Sequence, residues 1–310
     1  MSSCGGVIRH RPRASWLVCS SSVMPPSKMD LLDRLRDPRP LIGAELRPPR
    51  SDLSRADSMD TWIDMYHSIR KLLRTDTVVF LTDNAVGQSE EENLQHLTTN
   101  LAGEVEPSKI VPFLTCKHTL EYCLMYAARA GSHGFQALTV LGGDQSVGAP
   151  RCVPHASDLR QAIRHRVPGL ILGGWANPAR DATQQIDYLL SDEYTAEFYL
   201  TQIVSHHRIR EVDRFMNEAA KRNVSLPGIF GVFFYRSPNA RTLELLNDFF
   251  PVPAKEIMHE FESGVQAEEI CVRTIRALRE AGVDRVYVSN LGFSRVGERY
   301  LRIANAFDAS

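Results

Sequence analysis

Residues 41–49 have the sequence Leu41-Ile42-Gly43-Ala44-Glu45-Leu46-Arg47-Pro48-Pro49, and this stretch decides between two folds. Its first half is apolar without strict alternation, which is typical of a strand buried on both faces. In an open doubly wound sheet, a glycine-rich loop that binds phosphate would follow the first strand. Two prolines cannot form such a loop, because proline fixes φ and has no N–H donor. The stretch therefore favours a closed barrel over the open sheet.

Short apolar runs of the same kind recur along the rest of the chain. The further runs are Thr77–Thr82, Lys109–Thr115, Ala137–Leu141, Gly169–Gly173, Phe198–Ile203, Gly228–Phe234 and Arg285–Asn290. The segments between them have apolar residues near helical spacing, as in Met59–Leu73, Glu90–Leu101, Leu120–Ala130 and Ala156–Arg166. Eight alternations of strand and helix predict a single-domain α/β protein, a (β/α)8 TIM barrel over residues 30–310.

The first 29 residues differ in composition from this repeat. They contain four basic residues and no acidic residue, which resembles a transit peptide. The apolar stretch Trp16–Val18 is nevertheless too short for a signal peptide or a membrane span. Because Met24 and Met29 offer later starts, we interpret residues 1–29 as a disordered or mis-assigned extension.

The bulk composition limits the partners and the compartment. A formal net charge of -1 gives no overall field that would attract nucleic acid or an anionic membrane, so we expect neither as a partner. The six cysteines form no Cys-x-x-Cys pair and have no zinc-finger spacing. We therefore expect reduced thiols, no metal site and a cytoplasmic protein that binds a small molecule. The composition leaves the oligomeric state open.

Polar residues at the carboxyl ends of the predicted strands should meet at one face of the barrel, where barrel enzymes carry their active sites. The two carboxylates that stand directly at apolar strand ends are Glu45 and Asp144. Partial burial raises the pKa of a carboxyl group, so that one of them can donate a proton while the other stays an anion. The residue types alone leave open which carboxylate is the acid.

Four short motifs in this sequence resemble the methylenetetrahydrofolate reductases. Gly43–Arg50 is similar to the family's opening motif, in which a glutamate precedes two prolines. Pro112–Cys116 resembles the family's Pro-His-Leu-Thr-Cys strand, and Leu141–Asp144 resembles its Leu-Arg-Gly-Asp turn. Leu200–Gln202 resembles its Ile-Thr-Gln strand end. Each motif is short, but the four occur in the family's order and at comparable spacing, and together they are fairly specific.

The resemblance implies an enzyme of one-carbon metabolism that reduces 5,10-methylenetetrahydrofolate to 5-methyltetrahydrofolate. Glu45 would be the general acid that protonates N10 as the imidazolidine ring opens to an iminium ion. Asp144 and Gln202 would bind the pterin, whose amide and amine edge suits a carboxylate acceptor and a bidentate amide. The simpler alternatives are a turn-forming Asp144 and a solvated Gln202 at a strand end.

The positions that face the cofactor depart from the family pattern. Phe113 replaces the strand histidine, Gly142 replaces the arginine of the turn, and Asn177 replaces a further histidine. The family's basic region for the flavin diphosphate is acidic here (Leu190-Ser191-Asp192-Glu193) and would repel it. We therefore expect weak or no FAD binding, with hydride passing directly from NADH or NADPH. The residues assigned to the cofactor are Thr82, Gly143, Trp175 and Asn177.

A binding protein is the main alternative to an enzyme. A barrel of this family that has lost its chemistry would bind a folate or a partner protein. Glu45 favours the interpretation as an enzyme, because a protein that only binds its ligand has little use for a proton donor at the end of the first strand. Trp175 suits a core position as well as a stacking contact with a planar ring.

Two other enzyme classes are less compatible with the sequence. His118, His206 and His207 follow predicted strands, but no spacing of a metal hydrolase is present. We interpret these histidines as solvated loop residues. Lys117 and Lys255 lie outside the apolar strands, which argues against an aldolase that forms a Schiff base.

Overall fold

The computed structural model describes residue 1 and residues 30–49, 53–75, 77–83, 105–143 and 148–308. Apart from residue 1, the extension predicted at residues 1–29 lies outside these ranges. The predicted helix Glu90–Leu101 and the predicted site residue Asp144 also lie outside them. Within the described ranges, every helix is too short or too polar to span a bilayer.

Eight parallel strands form a closed barrel in which each strand pairs with the next one along the chain, and the last pairs with the first. The strands are β1 (Leu41–Leu46), β2 (Val79–Leu81), β3 (Ile110–Thr115), β4 (Ala137–Leu141), β5 (Ile171–Ala176), β6 (Phe198–Val204), β7 (Gly228–Phe233) and β8 (Arg285–Ser289). This architecture confirms the (β/α)8 barrel predicted from the sequence. The bounds of β4 are those predicted, whereas β5 extends beyond the predicted run Gly169–Gly173 and includes Trp175.

Helices alternate with the strands and cover the outside of the barrel. The helices of the described residues are α1 (Leu31–Arg36), α2 (Arg55–Leu73), α3 (Leu120–Ser132), α4 (Ala156–Arg166), α5 (Ala182–Leu190), α6 (Ile209–Lys221), α7 (Ala240–Asn247), α8 (Ala254–Glu262), α9 (Ala267–Glu280) and α10 (Val296–Asp308). Short 3-10 helices span Pro107–Lys109 and His206–Arg208. Leu31 and Leu35 of α1 pack in the same cluster as the inward side chain of Leu41, so α1 closes the amino-terminal end of the barrel.

The segment between β7 and α9 forms a small layer of its own. Helices α7 and α8 pack there through Leu243 and Ile257, together with Tyr235 and Ile270. Tyr235 lies just beyond the carboxyl end of β7. The insertion therefore covers the same end of the barrel at which the predicted site residues lie.

Aromatic side chains fill the barrel interior and lie against glycines of neighbouring strands. The ring of Phe198 in β6 occupies the space that a Cβ at Gly173 of β5 would need. The Tyr287 hydroxyl in β8 lies 2.6 Å from the position of a Cβ on Gly231 of β7. Because Gly173 makes room for a neighbouring ring, β5 continues through it instead of ending there as predicted.

A β-bulge interrupts β6 near its carboxyl end. The register with β7 shifts between Leu200 and Ile203. The Thr201 hydroxyl accepts a hydrogen bond of 3.1 Å from the backbone N–H of Gly231, and the Tyr287 hydroxyl donates one of 2.7 Å to the Thr201 carbonyl. A bulge bends its strand and redirects side chains, and Gln202 lies within this bulge.

Candidate active site

The carboxyl end of the barrel carries polar side chains that point into its interior. Side chains alternate between the two faces of a strand, and Leu41 and Phe80 belong to the inner core cluster. Glu45 is four residues after Leu41, and Thr82 is two residues after Phe80, so both continue the inward-facing rows. Trp175 also packs against the inner cluster while remaining partly exposed.

Glu45 is held in place by β8. The Ser289 hydroxyl donates a hydrogen bond of 2.7 Å to Glu45 Oε1. Burial raises the pKa of the Glu45 carboxyl above its ordinary value, and the Ser289 hydrogen bond and the charge of Arg47 oppose this shift without cancelling it. A carboxyl group with a raised pKa keeps its proton closer to neutral pH, as a general acid must. The geometry of Glu45 therefore suits the acid role that the sequence predicts.

Trp175 lies across the barrel from Glu45. In a closed barrel of eight strands β5 is opposite β1, so the two inward side chains face the same mouth from opposite walls. The side chain of Trp175 packs against the inner core cluster and is half-buried, and its stacking role stays a prediction. An exposed indole face at the mouth of a barrel can stack on a planar ring.

Thr82 provides a polar atom without an internal partner. Its backbone N–H donates to the Leu46 carbonyl at 3.0 Å, but its buried Oγ1 has no hydrogen-bond partner among the described residues. Buried polar atoms are almost always hydrogen-bonded in native proteins. An unpaired hydroxyl beside the Glu45 strand is therefore well suited to contact a bound ligand.

Gln202 lies at the mouth of the barrel, but its side-chain amide already forms hydrogen bonds within the protein. Gln202 Nε2 donates to the Phe249 carbonyl at 3.2 Å, and its Oε1 accepts from the backbone N–H of Ile203 at 2.9 Å. Phe249 lies in the connection between α7 and α8. A ligand that uses both groups of this amide would have to displace the contact with Phe249.

Gly143 and Asn177 form hydrogen bonds within the loops that follow β4 and β5. Gly143 has a φ of +73°, and its carbonyl accepts a hydrogen bond of 2.7 Å from Arg151. The Asn177 Oδ1 accepts from the backbone N–H of Ala179 at 3.1 Å, which forms a local turn after β5. Both residues therefore shape loops at the mouth.

Two cationic side chains, Lys117 and Arg151, lie next to Gly142 and Gly143, and the position of Arg151 was not predicted from the sequence. A Cβ on Gly142 would lie 2.7 Å from the Arg151 guanidinium carbon, and a Cβ on Gly143 would lie 2.7 Å from Lys117 Cγ. Arg151 thus places a guanidinium beside the position at which the resembled family has its arginine. No local pattern could reveal this, because Arg151 reaches Gly142 from the far side of a loop.

A second pair of cations lies at the ends of β7 and β8. Arg236 donates to the Asn290 side chain at 3.0 Å, and Arg299 donates to the carbonyls of Leu291 and Ser294 at 2.8 Å. Burial and the neighbouring charge of Arg299 lower the pKa of Arg236. Two guanidinium groups that repel each other favour an anion between them.

The three loop histidines are not solvated as the sequence suggested. His118 Nε2 lies 3.2 Å from Asp83 Oδ1, and that carboxylate also accepts from the backbone N–H of Thr115. His206 and His207 both contact the buried carboxylate of Glu260 in α8. The interpretation as loop residues in solvent was therefore wrong, because their carboxylate partners are distant in the sequence.

The described cysteines have no disulfide partner. Cys116, Cys123, Cys152 and Cys271 are free thiols, and all except Cys152 are buried. Burial raises the pKa of Cys116 to about 11, so its reactive thiolate form is rare near neutral pH. Cys116, Cys123 and Cys271 are thus part of the packed interior.

Comparison with known proteins supports the fold and leaves the family open. No protein-family model matches the chain, and no curated protein matches its sequence. Among solved structures, the chain is similar to an uncharacterized protein from Clostridium thermocellum that binds two copies of 5-methyl-5,6,7,8-tetrahydrofolic acid. The TM-score is 0.60 at 16% sequence identity, covering 87% of this chain and 95% of that chain. At this identity, the similarity shows a shared barrel fold.

A second solved structure is less similar. Dihydrodipicolinate synthase from Oceanobacillus iheyensis has a TM-score of 0.45 at 12% identity, and the match covers 86% of this chain and 77% of that chain. Such a distant likeness carries no argument about function.

Proposed function

We propose that this protein reduces 5,10-methylenetetrahydrofolate to 5-methyltetrahydrofolate by direct hydride transfer from NADH or NADPH. The observation that carries the proposal is the inward-facing carboxyl of Glu45, with its raised pKa and its hydrogen bond from Ser289. The four motifs that resemble methylenetetrahydrofolate reductases support it. The solved structure from Clostridium thermocellum adds support, since that barrel binds a tetrahydrofolate.

In the proposed reaction, Glu45 donates its proton to N10 as the bond between N10 and the bridging carbon breaks. The bridging carbon becomes an iminium carbon on N5 and accepts hydride from C4 of the dihydronicotinamide. The products are 5-methyltetrahydrofolate and the oxidised nicotinamide, and Glu45 regains a proton from solvent. Glu45 lowers the barrier because a neutral amine leaves more readily than an amide anion.

We assign the remaining residues of the mouth to binding. Gln202 and Asp144 would hold the pterin edge, as the family resemblance implies, and Gln202 would exchange its contact with Phe249 for the ligand. Trp175 would stack on a planar ring, and the unpaired Thr82 hydroxyl would bind the cofactor. Arg236 and Arg299 would receive the acidic tail of the folate.

The residues present fit a flavin poorly. Phe113, in place of the family's histidine, is buried in the inner cluster with its ring centroid 6.3 Å from that of Phe80. Asp192 and Glu193 are exposed carboxylates where the flavin diphosphate would need cations. The guanidinium of Arg151 would bind the diphosphate of the nicotinamide dinucleotide.

The direct test is an anaerobic assay of NADH oxidation with methylenetetrahydrofolate, preceded by a visible spectrum of the purified protein. We expect turnover without a flavin band, and no increase when FAD is added. Stoichiometric bound FAD, or turnover only after FAD is added, would contradict direct hydride transfer. Folate binding without turnover under either condition would favour the non-catalytic binding barrel.

Replacing Ser289 by Ala should shift the pH dependence of this reaction. The Ser289 hydroxyl stabilises the Glu45 carboxylate and so lowers its pKa. Without this hydrogen bond, the pKa of Glu45 rises further and the protonated acid persists to higher pH. We expect the alkaline decline of kcat/KM to move to higher pH in Ser289→Ala. An unchanged profile would mean that Glu45 is not the group whose protonation limits the rate.

A further inference from the structure

A compact group of metal-binding residue types lies away from Glu45, on the β6 side of the barrel mouth. His206 and His207 form the turn that follows β6, and Glu260 belongs to α8. His206 Nε2 lies 3.3 Å from Glu260 Oε1, and His207 Nε2 lies 3.1 Å from Glu260 Oε2. One ligand atom from each of the three residues lies within 4.8 Å of the others. The proposed folate reaction uses none of them.

The hydrogen bonds of α9 determine how His206 is oriented. The Thr274 hydroxyl donates to the Ile270 carbonyl at 3.3 Å, so its oxygen is left to accept. It lies 2.8 Å from His206 Nδ1, and this arrangement favours the tautomer in which Nδ1 carries the hydrogen and donates it. In a neutral imidazole with a proton on Nδ1, Nε2 has only a lone pair. That lone pair faces a carboxylate oxygen, which is also an acceptor, and a cation between the two would bind both.

The separations between these atoms agree with those around a zinc ion. Ligands at about 2.0–2.1 Å from a tetrahedral Zn²⁺ lie roughly 3.3 Å apart. The separations of His206 from Glu260 Oε1 and of His207 from Glu260 Oε2, 3.3 Å and 3.1 Å, have this size, and one ligand atom from each residue lies within 4.8 Å of the others. We propose that His206, His207 and Glu260 form a Zn²⁺ site that fastens α8 to the end of β6.

The surroundings of the cluster resemble the outer shell of a metal site. Ligating histidines usually donate their second ring N–H to a hydrogen-bond acceptor, and the Thr274 hydroxyl lies 2.8 Å from His206 Nδ1 in the position of such an acceptor. Arg273 donates to Glu260 Oε1 at 2.8 Å, which orients the carboxylate so that Oε2 faces His207 Nε2. The side chains of His206, His207 and Glu260 are 16%, 21% and 8% exposed. This partial burial leaves an entry path and limits the water that would compete.

The site would have a structural consequence. Two ligands come from the end of β6, and the third comes from the insertion that contains Phe249, the residue bonded to Gln202. Zinc bound there would hold this insertion against the barrel mouth. Three protein ligands also leave a fourth position for a water molecule.

The test uses full-length protein stripped with EDTA and titrated with ZnCl2 by calorimetry and with CoCl2 by visible absorption. We expect about one equivalent of each metal to bind, with the ligand-field bands of tetrahedral Co²⁺. His207→Ala should abolish this binding, and Thr274→Val should weaken it about 10- to 100-fold through the lost outer-shell bond. His259→Ala, an exposed histidine next to Glu260 on α8, should bind metal like the unchanged protein.

Thermal melts with and without Zn²⁺ show whether a variant that does not bind metal is still folded. Zn²⁺ should raise the Tm of the unchanged protein and of His259→Ala, but not that of a folded His207→Ala. Equal metal binding by the unchanged protein and His207→Ala would overturn the proposal, as would no binding at all. The latter result would mean that a proton bridges His206 and Glu260. None of these measurements depends on folate turnover, so the site and the proposed reaction can fail independently.

Discussion

Glu45→Gln is expected to reduce turnover of methylenetetrahydrofolate by about 10²- to 10⁴-fold, the usual contribution of a general acid. Glutamine keeps the shape of the side chain and can still accept the Ser289 hydrogen bond, but it cannot supply a proton to N10. The measurements are kcat with saturating NADH and the Kd of the folate. We expect kcat to fall and the Kd to stay within a few-fold, because binding and proton donation are separate tasks.

The same variant should be more stable than the unchanged protein at neutral pH. The pKa of Glu45 is raised in the folded state, mainly by burial. The stability of the unchanged protein therefore falls as pH rises from the unfolded pKa, about 4.3, through the folded pKa. Glutamine does not titrate, so its advantage should be small near pH 4 and grow to a plateau above the folded pKa. Urea unfolding at several pH values measures this difference.

Glu280→Gln is the matched control, because it removes an exposed carboxylate at the end of the outer helix α9. It should change neither kcat nor the pH dependence of stability appreciably. If Glu45→Gln retained full turnover, the acid would have to be another residue. If it lost turnover together with folate binding, Glu45 would be a binding residue and the non-catalytic interpretation would gain.

The fold was predictable because a barrel strand is encoded locally. An apolar run that is buried on both faces specifies β4 without reference to the rest of the chain. The prediction failed at the carboxyl end of β5, where the strand was expected to end at Gly173. Gly173 and Gly174 both lie within the observed strand. They belong to the strand because the rings of Phe198 and Tyr194 fill the space beside them. That contact depends on residues about 20 positions away.

The candidate site was predictable only in part, for a related reason. Glu45 could be found because it interrupts an apolar strand that the sequence already identifies. Its partner Ser289 lies 244 residues away, and the two meet only because β8 closes the barrel onto β1. The guanidinium of Arg151 beside Gly142 likewise required the loop conformation. The ends of apolar strands thus indicate where catalytic side chains lie. The hydrogen-bonding and charged groups around those side chains depend on the tertiary fold.

Gly231→Ala should be among the most destabilising single-methyl additions to the barrel. The added Cβ would lie 2.6 Å from the Tyr287 hydroxyl and 3.1 Å from Ile203 Cδ1, inside a closed ring of strands. Overpacking of this kind costs about 1–3 kcal/mol, and displacing Tyr287 would also break its hydrogen bond to Thr201. A buried carbonyl left without a partner costs about 1–3 kcal/mol more. Urea unfolding should therefore show a loss of about 2–6 kcal/mol.

Tyr287→Phe separates the two contributions, because it removes the hydroxyl and adds no atom. It should cost only the hydrogen-bond part, about 1–3 kcal/mol. Gly169→Ala is the control for adding a methyl group, since a Cβ there has no neighbour within 4 Å. If Gly231→Ala were no worse than Gly169→Ala, the interior would be able to adjust to the methyl group. Because the Tyr287 bond holds the β6 bulge that contains Gln202, both interior variants should also weaken folate binding, whereas Gly169→Ala should not.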